Sequence, residues 1–401
     1  MAPYRILSMD GGGSWALIQV KALIALFGNQ ATGHEVLSQF DLAAANSGGS
    51  IVLGCLIENF TLQQILDFFH DEGQRKAVFS KTNKIGDQVL NEVIGIGPRY
   101  SADKKLPALQ QALPRRGNLL LSEAVADIRR ENGDDSIHAL ILGFDYDRTR
   151  AAFFRSKTVD GPSWGSGGAA EVTLAEAIHA STNAPVNYFD GPARFPNRPG
   201  RYWDGAVSGC NNPVLAAVTE AVGLKQDPHE IVALSLGTAN NALPWPQPGD
   251  PPSLYTQPPS KTGLRSDVKK LATAILDDPP DAATFVAHVM TGCGAGLDPA
   301  VSDSRIIRMN PLVSPRKSAA RANDPWSAPG GMTHDQFEYI FNLDMDAVET
   351  AEVDAITQYA DLWLKDEVLN QPVRMNGDLL KREVGQDTFS AAKAAWETIS
   401  R

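Results

Sequence analysis

The amino-acid sequence predicts an α/β fold in which a mostly parallel central sheet is flanked by helices. Three observations carry this. Two strand–glycine turn–helix units stand within the first 60 residues. Further short apolar runs then alternate with helical patterns along the chain. The composition, 43% hydrophobic and 21% charged over 401 residues, is that of a globular protein with a sizeable core.

The elements follow in order. "YRILSM" (4–9) reads as a short buried strand that enters the glycine turn "DGGGS". "WALIQVKALIALFGNQ" then repeats Trp15, Ile18, Leu23, Leu26 and Phe27 at helical spacing. "FDLAAA" (40–45) is a second apolar strand, followed by Ser47-Gly48-Gly49 and the apolar helix "SIVLGCLIENF". Residues 61–118 are more polar and read as a helical insertion beside the sheet, with "SADKKLPALQQAL" interrupted at Pro107. The sheet resumes at "HALILGFDY" (138–146) and, after the helix "LAEAIHAS" (174–181), at "EIVALSLGT" (230–238). Residues 201–213 read as loop, and Pro213 opens the next helix. The proline-rich stretch 240–263 excludes regular structure, "SRIIRMN" (304–310) fits one more strand, and the remainder of 264–401 is mainly helical. With neither repeats nor a clear linker, the expectation is one catalytic domain over 1–401 with its motif core at 4–240.

Composition also excludes partners. Lysine plus arginine number 36 against 47 acidic residues, a net charge of −11, which disfavours nucleic acid and purely electrostatic docking on anionic lipid. The three cysteines, Cys55, Cys210 and Cys293, are scattered and odd in number, as expected of free thiols in a reducing compartment. The N-terminus lacks signal-peptide character and no apolar run reaches spanning length. The expected location is cytoplasmic, with peripheral membrane contact through an apolar patch; the candidates for it are Trp245 and Tyr255 in the proline-rich stretch. Neither a metal site nor a cofactor is expected.

Three stretches carry chemistry. Ala45-Asn46-Ser47-Gly48-Gly49 is a near match to the G-x-S-x-G nucleophile elbow, where small residues let strand and helix meet in a sharp turn. The helix after Ser47 aims its free N–H groups and positive dipole end at developing negative charge. Asp10-Gly11-Gly12-Gly13 offers successive N–H groups as an oxyanion hole or phosphate cradle; a tight packing turn is the plain alternative. Asp204-Gly205-Ala206 is either a base for Ser47, a cap or a turn, and Asp190-Gly191 has the same form. Among the seven histidines, the order Ser47, Asp204, His229 would satisfy the chain order of an α/β-hydrolase triad, but none of the seven lies in a suggestive turn.

Taken together, "DGGG", "ANSGG", "AIHASTNAPVNYF" (177–189), "DGAVSGCNNP" (204–213) and "LSLGT" (234–238) resemble the patatin-like phospholipase family. That resemblance implies a three-layer α/β/α fold and a Ser–Asp dyad in place of a triad. Ser47 would attack an ester of a lipid substrate, Asp204 would act as base and then acid, and the N–H groups of Gly11, Gly12 and Gly13 would hold the oxyanion. The chain departs from the family pattern at Ser14-Trp15-Ala16, where a cation is usual, and at Ala45, where glycine is usual. Two other readings stand beside it. One is an actin- or sugar-kinase-like nucleotide-binding protein with DGGGS as phosphate loop, which expects a hairpin after the glycines. The other is a catalytically lapsed lipid-binding protein of the same fold.

Overall fold

The computed structural model describes residues 2–78, 100–131, 135–157, 172–185, 188–196, 198–240, 242–246, 280–292, 304–317, 326–373 and 384–401. Cys293, Tyr255, residues 79–99 of the expected insertion and 247–263 of the proline-rich stretch lie outside them.

The centre of the sheet is β1 (Tyr4–Met9), whose last four residues are buried. It runs parallel to β2 (Leu42–Ala45) on one side and to β7 (Ile231–Leu236) on the other. Beyond them β3 (His138–Asp145) and β8 (Ile306–Met309) continue the parallel arrangement. Three antiparallel strands complete one side: β4 (Arg150–Arg155) and β6 (Arg198–Asp204) against β3, and β5 (Ala193–Phe195) against β6. Strands buried on both faces read as continuous apolar runs, which is why "LAAA" and "IVALSL" show no polar alternation.

The two faces carry separate apolar cores. Leu7, Met9, Ala43, Ala45 and Leu234 pack under α1 (Leu17–Phe27), α3 (Ser47–Ile57) and the Thr350–Leu364 and Phe389–Ile399 helices. Ile6, Leu42, Ala44, Ala233 and Ile306 pack under the helices at Val214–Gly223 and Pro280–Met290. The architecture is therefore a three-layer α/β/α arrangement, with the short α2 (Gly33–Leu37) between α1 and β2.

One edge of β3 decides where the chemistry sits. β4 occupies its other edge from Leu140 to Asp145, so β2 and β6 must share the remaining one. β2 pairs there with His138–Ile141 and β6 with Gly143–Asp145. These strands run toward each other, so the chain leaving β2 at Ala45 meets the last residue of β6, Asp204, across the short gap between Ile141 and Gly143.

The start of α3 rests directly on the backbone at the end of β1. A Cβ on Gly49 would stand 2.5 Å from the Met9 carbonyl oxygen and 2.7 Å from that of Asp10. Glycine is required there by contact distance alone. Around this point the Leu174–Ser181 helix is started by a capping box of Thr173 and Glu176, which fixes where Ser181 falls.

Three expectations are adjusted. Residues 198–204 form β6 and not loop; Pro199 and Gly200 masked the strand, and its short pairing to β3 leaves no sequence periodicity to read. The Ala102–Ala112 helix runs through Pro107, held by buried Lys105, Leu106 and Leu109 on its inner face. The described part of 61–118 is built into the main core: Ile65 and Phe69 of α4 (Leu62–His70) pack there with Leu106 and Leu109. The strand expected at 304–310 is present as β8.

Gly49→Ala is expected to cost about 1–3 kcal/mol in urea unfolding, because the added methyl has backbone on the other side. Gly223→Ala, with nothing within 4 Å of the added carbon, is the control and should be neutral or stabilising.

Candidate active site

At the end of β2 the backbone stays extended at Asn46 (φ −128, ψ 148) and then turns left-handed at Ser47, φ 47. For a residue with a Cβ that conformation costs roughly 1–2 kcal/mol, and it is the sharp strand-to-helix turn that the sequence led us to expect. The turn is held in place on both sides. The Ser47 N–H donates to Ser181 Oγ (2.9 Å), and the Ser47 carbonyl accepts from Ser50 Oγ (2.6 Å). Ser47 also stands at the N-terminal end of the 11-residue α3, where the helix dipole favours negative charge.

Asp204 closes β6 and is buried. Ser47 and Asp204 line the same cavity, and the Ser47 side chain is one of the groups that pull the Asp204 carboxyl down. The Asp204 Oδ1 accepts from Asn46 Nδ2 (3.0 Å) and from the Ala206 N–H (2.9 Å). Its own N–H donates to the Asn183 carbonyl (3.0 Å). Burial pushes the carboxyl above the ordinary carboxylate range; the bond from Ala206, the Ser47 side chain, the bond from Asn46 and the charge of Lys105 pull the other way. The outcome is a desolvated carboxylate in the same cavity lining as Ser47.

The glycine turn lies beside Ser47, but its three N–H groups are not equivalent. Gly11 N–H donates to the Asn211 carbonyl (2.9 Å), and the Gly11 carbonyl accepts from Thr238 Oγ1 (2.5 Å). The expectation that Gly11 supplies an oxyanion donor is therefore corrected: the loop after β6 takes that N–H. Among the described residues the N–H groups of Gly12 and Gly13 have no such partner, and Ser14 N–H is already bonded to the Met345 carbonyl (2.9 Å). Gly13 has φ 57, a conformation that suits glycine and turns successive N–H groups the same way.

Beneath the turn lies a buried ion pair. Asp10 Oδ2 accepts from Arg308 Nη2 (2.6 Å) and from Asn240 Nδ2 (3.3 Å), and Arg308 Nη1 donates to Ser235 Oγ (2.9 Å). Burial drives the Asp10 carboxyl up, and the Arg308 guanidinium opposes it. Asp10 thus anchors the turn from below and takes no position facing Ser47's cavity.

Ser47, Asp204 and Gly12 line a cavity of about 230 Å³ whose apolar walls include Trp15, Ile340, Phe341 and Leu343. Trp15, at the position where a cation was expected, donates from its indole N–H to the Asp344 carbonyl (3.1 Å) and so fastens the far wall. No histidine lines this cavity among the described residues. His229 stands just before β7, at the opposite end of the sheet, which removes the triad reading. The turn after β1 leads into helix and not into a hairpin, which removes the phosphate-loop reading. Trp245 is used internally, edge-on to His334 and Phe337. Among the described residues there is no cluster of metal-ligating side chains and no helix long and apolar enough to cross a membrane.

The profile of the patatin-like phospholipases matches residues 7–218, more than half of the chain, and spans Gly11, Ser47 and Asp204. The protein belongs to the patatin-like phospholipase family. At family level it is a lipid acyl hydrolase. No curated protein matches its sequence. Among solved structures, VipD from Legionella pneumophila is similar at 9% identity and a TM-score of 0.35, over 90% of this chain and 67% of that one.

Several residues of this patatin-like site escaped the sequence reading. Asn46 and Asn211 had a signal, as polar residues breaking otherwise apolar or small stretches. Arg308 had a stronger one, a charge in the middle of the buried strand "IIRM". Ser181 had none. Arg308→Met is expected to destabilise the protein by about 3–5 kcal/mol, because it leaves a buried carboxylate unpaired. Adding Asp10→Leu should recover part of that loss in the same unfolding measurement.

Proposed function

We propose that the protein hydrolyses carboxylic esters of phospholipids or related lipids through Ser47 and Asp204. Ser47 Oγ attacks the ester carbonyl while its proton passes to Asp204. The tetrahedral oxyanion is received by the N–H groups of Gly12 and Gly13, with the N-terminal end of α3 adding to the field. Collapse breaks the ester C–O bond, and Asp204 returns the proton to the leaving alkoxide. Water then attacks the acyl-serine as Asp204 takes its proton, the acyl C–Oγ bond breaks, Asp204 returns the proton to Ser47 Oγ, and the carboxylic acid departs. Water is the only co-reactant.

The observation that carries this reading is the placement of a strained, helix-terminal serine and a buried carboxylate in the lining of one cavity with apolar walls. The walls suit an acyl chain, and the polar end formed by Asn211, Thr238 and Asn240 suits the ester and head group. The buried free thiol of Cys55 fits an enzyme of a reducing compartment such as the cytoplasm, meeting its lipid at a membrane surface.

Ser47→Ala and Asp204→Asn are each expected to lower kcat for p-nitrophenyl acyl esters by at least about 10³-fold with the circular dichroism spectrum unchanged. Undiminished turnover in Ser47→Ala would sink the reading. The pH profile supplies a second check. Protonation of Asp204 removes the base, and its carboxyl is raised, so kcat/KM should fall on the acid side with an apparent pKa above the ordinary value of about 3.9.

A further inference from the structure

A second buried charge stands close to the dyad. Lys105, on the Ala102–Ala112 helix, has no exposed surface, although its neighbours Asp103 and Lys104 are exposed. Its ammonium donates to Asn183 Oδ1 at 2.9 Å and lies 3.7 Å from the centre of the Phe189 ring. Asn183 ties this lysine to the base. Its carbonyl accepts the Asp204 N–H (3.0 Å), and its Nδ2 donates to the Gly191 carbonyl (2.7 Å). One residue therefore fixes both the lysine head and the backbone of the carboxylate.

The charged and titratable groups around this point come from three elements. They are Lys105 itself, Asp204 at the end of β6, and buried His179 on the Leu174–Ser181 helix. Burial and the Lys105 charge hold His179 far below its usual range, so it stays neutral. Burial also pushes Lys105 well below the usual lysine range, and the Asp204 charge opposes that fall. Among the described residues Asp204 is thus the one anion that acts on the Lys105 charge, and Lys105 the one cation that acts on the Asp204 charge, with Asn183 as the residue that links them. The donors Ala206, Ser47 and Asn46 offset more of the Asp204 burial than Lys105 does, and Lys105 adds a full positive charge to them.

We propose that Lys105 is a positioning residue for the dyad, its buried ammonium adding positive charge near Asp204 and its bond to Asn183 steadying the strand end that carries the carboxylate. This rests on the Ser47–Asp204 reading. It also bears on proton return. When the Ser47 proton reaches Asp204, the ammonium loses its counter-charge, which favours passing that proton on to the leaving alkoxide.

The test is the pH dependence of kcat/KM for the full chain carrying Lys105→Met, measured on a p-nitrophenyl ester alongside the wild type. The acid limb should move up, with turnover largely recovered well above it. An unmoved limb with turnover lowered equally at every pH would overturn the proposal and leave Lys105 a packing residue. Should Lys105→Met not fold, 13C-lysine labelling of the wild type and of Asp204→Asn gives the same answer. The Lys105 13Cε signal should report an ammonium at pH 7 in the wild type and a pKa lower by about one unit or more in Asp204→Asn. Equal titration in both overturns the proposal. That signal does not depend on turnover, so inactivity of Ser47 would be told apart from independence of Lys105 and Asp204.

Discussion

The site depends on how closely the first turn of α3 approaches the backbone at the end of β1. Gly49 has the Met9 and Asp10 carbonyls within reach of a missing Cβ, and Gly48 has the amide nitrogen of Gly13 at 2.8 Å on the same terms. Two backbones in contact leave no freedom for the residue that joins strand to helix, so Ser47 is forced into a left-handed conformation. The cost is local and is met by bonds to Ser181 and Ser50. The same contact brings the glycine turn beside the serine, where a ligand oxygen can meet Gly12 and Gly13.

The base arrives by a different route. β3 gives one edge to two strands that run toward each other, and the end of β6 thereby falls opposite the turn after β2. Asn46 bridges the junction by donating to Asp204. Distance in sequence between Ser47 and Asp204 is thus cancelled by register. Around them burial sets the charges: Asp10 is neutralised from β8 by Arg308, and buried Lys105 is joined through Asn183 to the backbone of Asp204.

Much of this could be read from the chain, for identifiable reasons. β1, β2, β3 and β7 were legible because central parallel strands are apolar throughout, and the turns because small residues cluster where backbones touch. Ser47 and Asp204 followed from those turns and from the order of the motifs. β6 was hidden because Pro199 and Gly200 open it and its pairing with β3 is only three residues long. Lys105 was hidden for another reason: Asp103-Lys104-Lys105 looks like a solvated helix face, and only packing turns one of the three inward. The fate of Gly11's N–H was illegible too, since its acceptor, the Asn211 carbonyl, is chosen by a loop two hundred residues on.

Trp15 and Ser14 bond to the carbonyls of Asp344 and Met345, and β1 lies between β2 and β7. The catalytic turn is therefore stitched to parts of the chain far beyond residue 218. A fragment cut there would expose an open sheet edge along β1 and strand the Asp10 charge without its arginine. The segment that carries the family's motifs is a set of parts and not a separable module: its cooperativity belongs to the whole chain. Synthesis must then deliver β8 before the turn beside Ser47 is anchored, so an emerging chain cannot complete this cavity until its last third has folded.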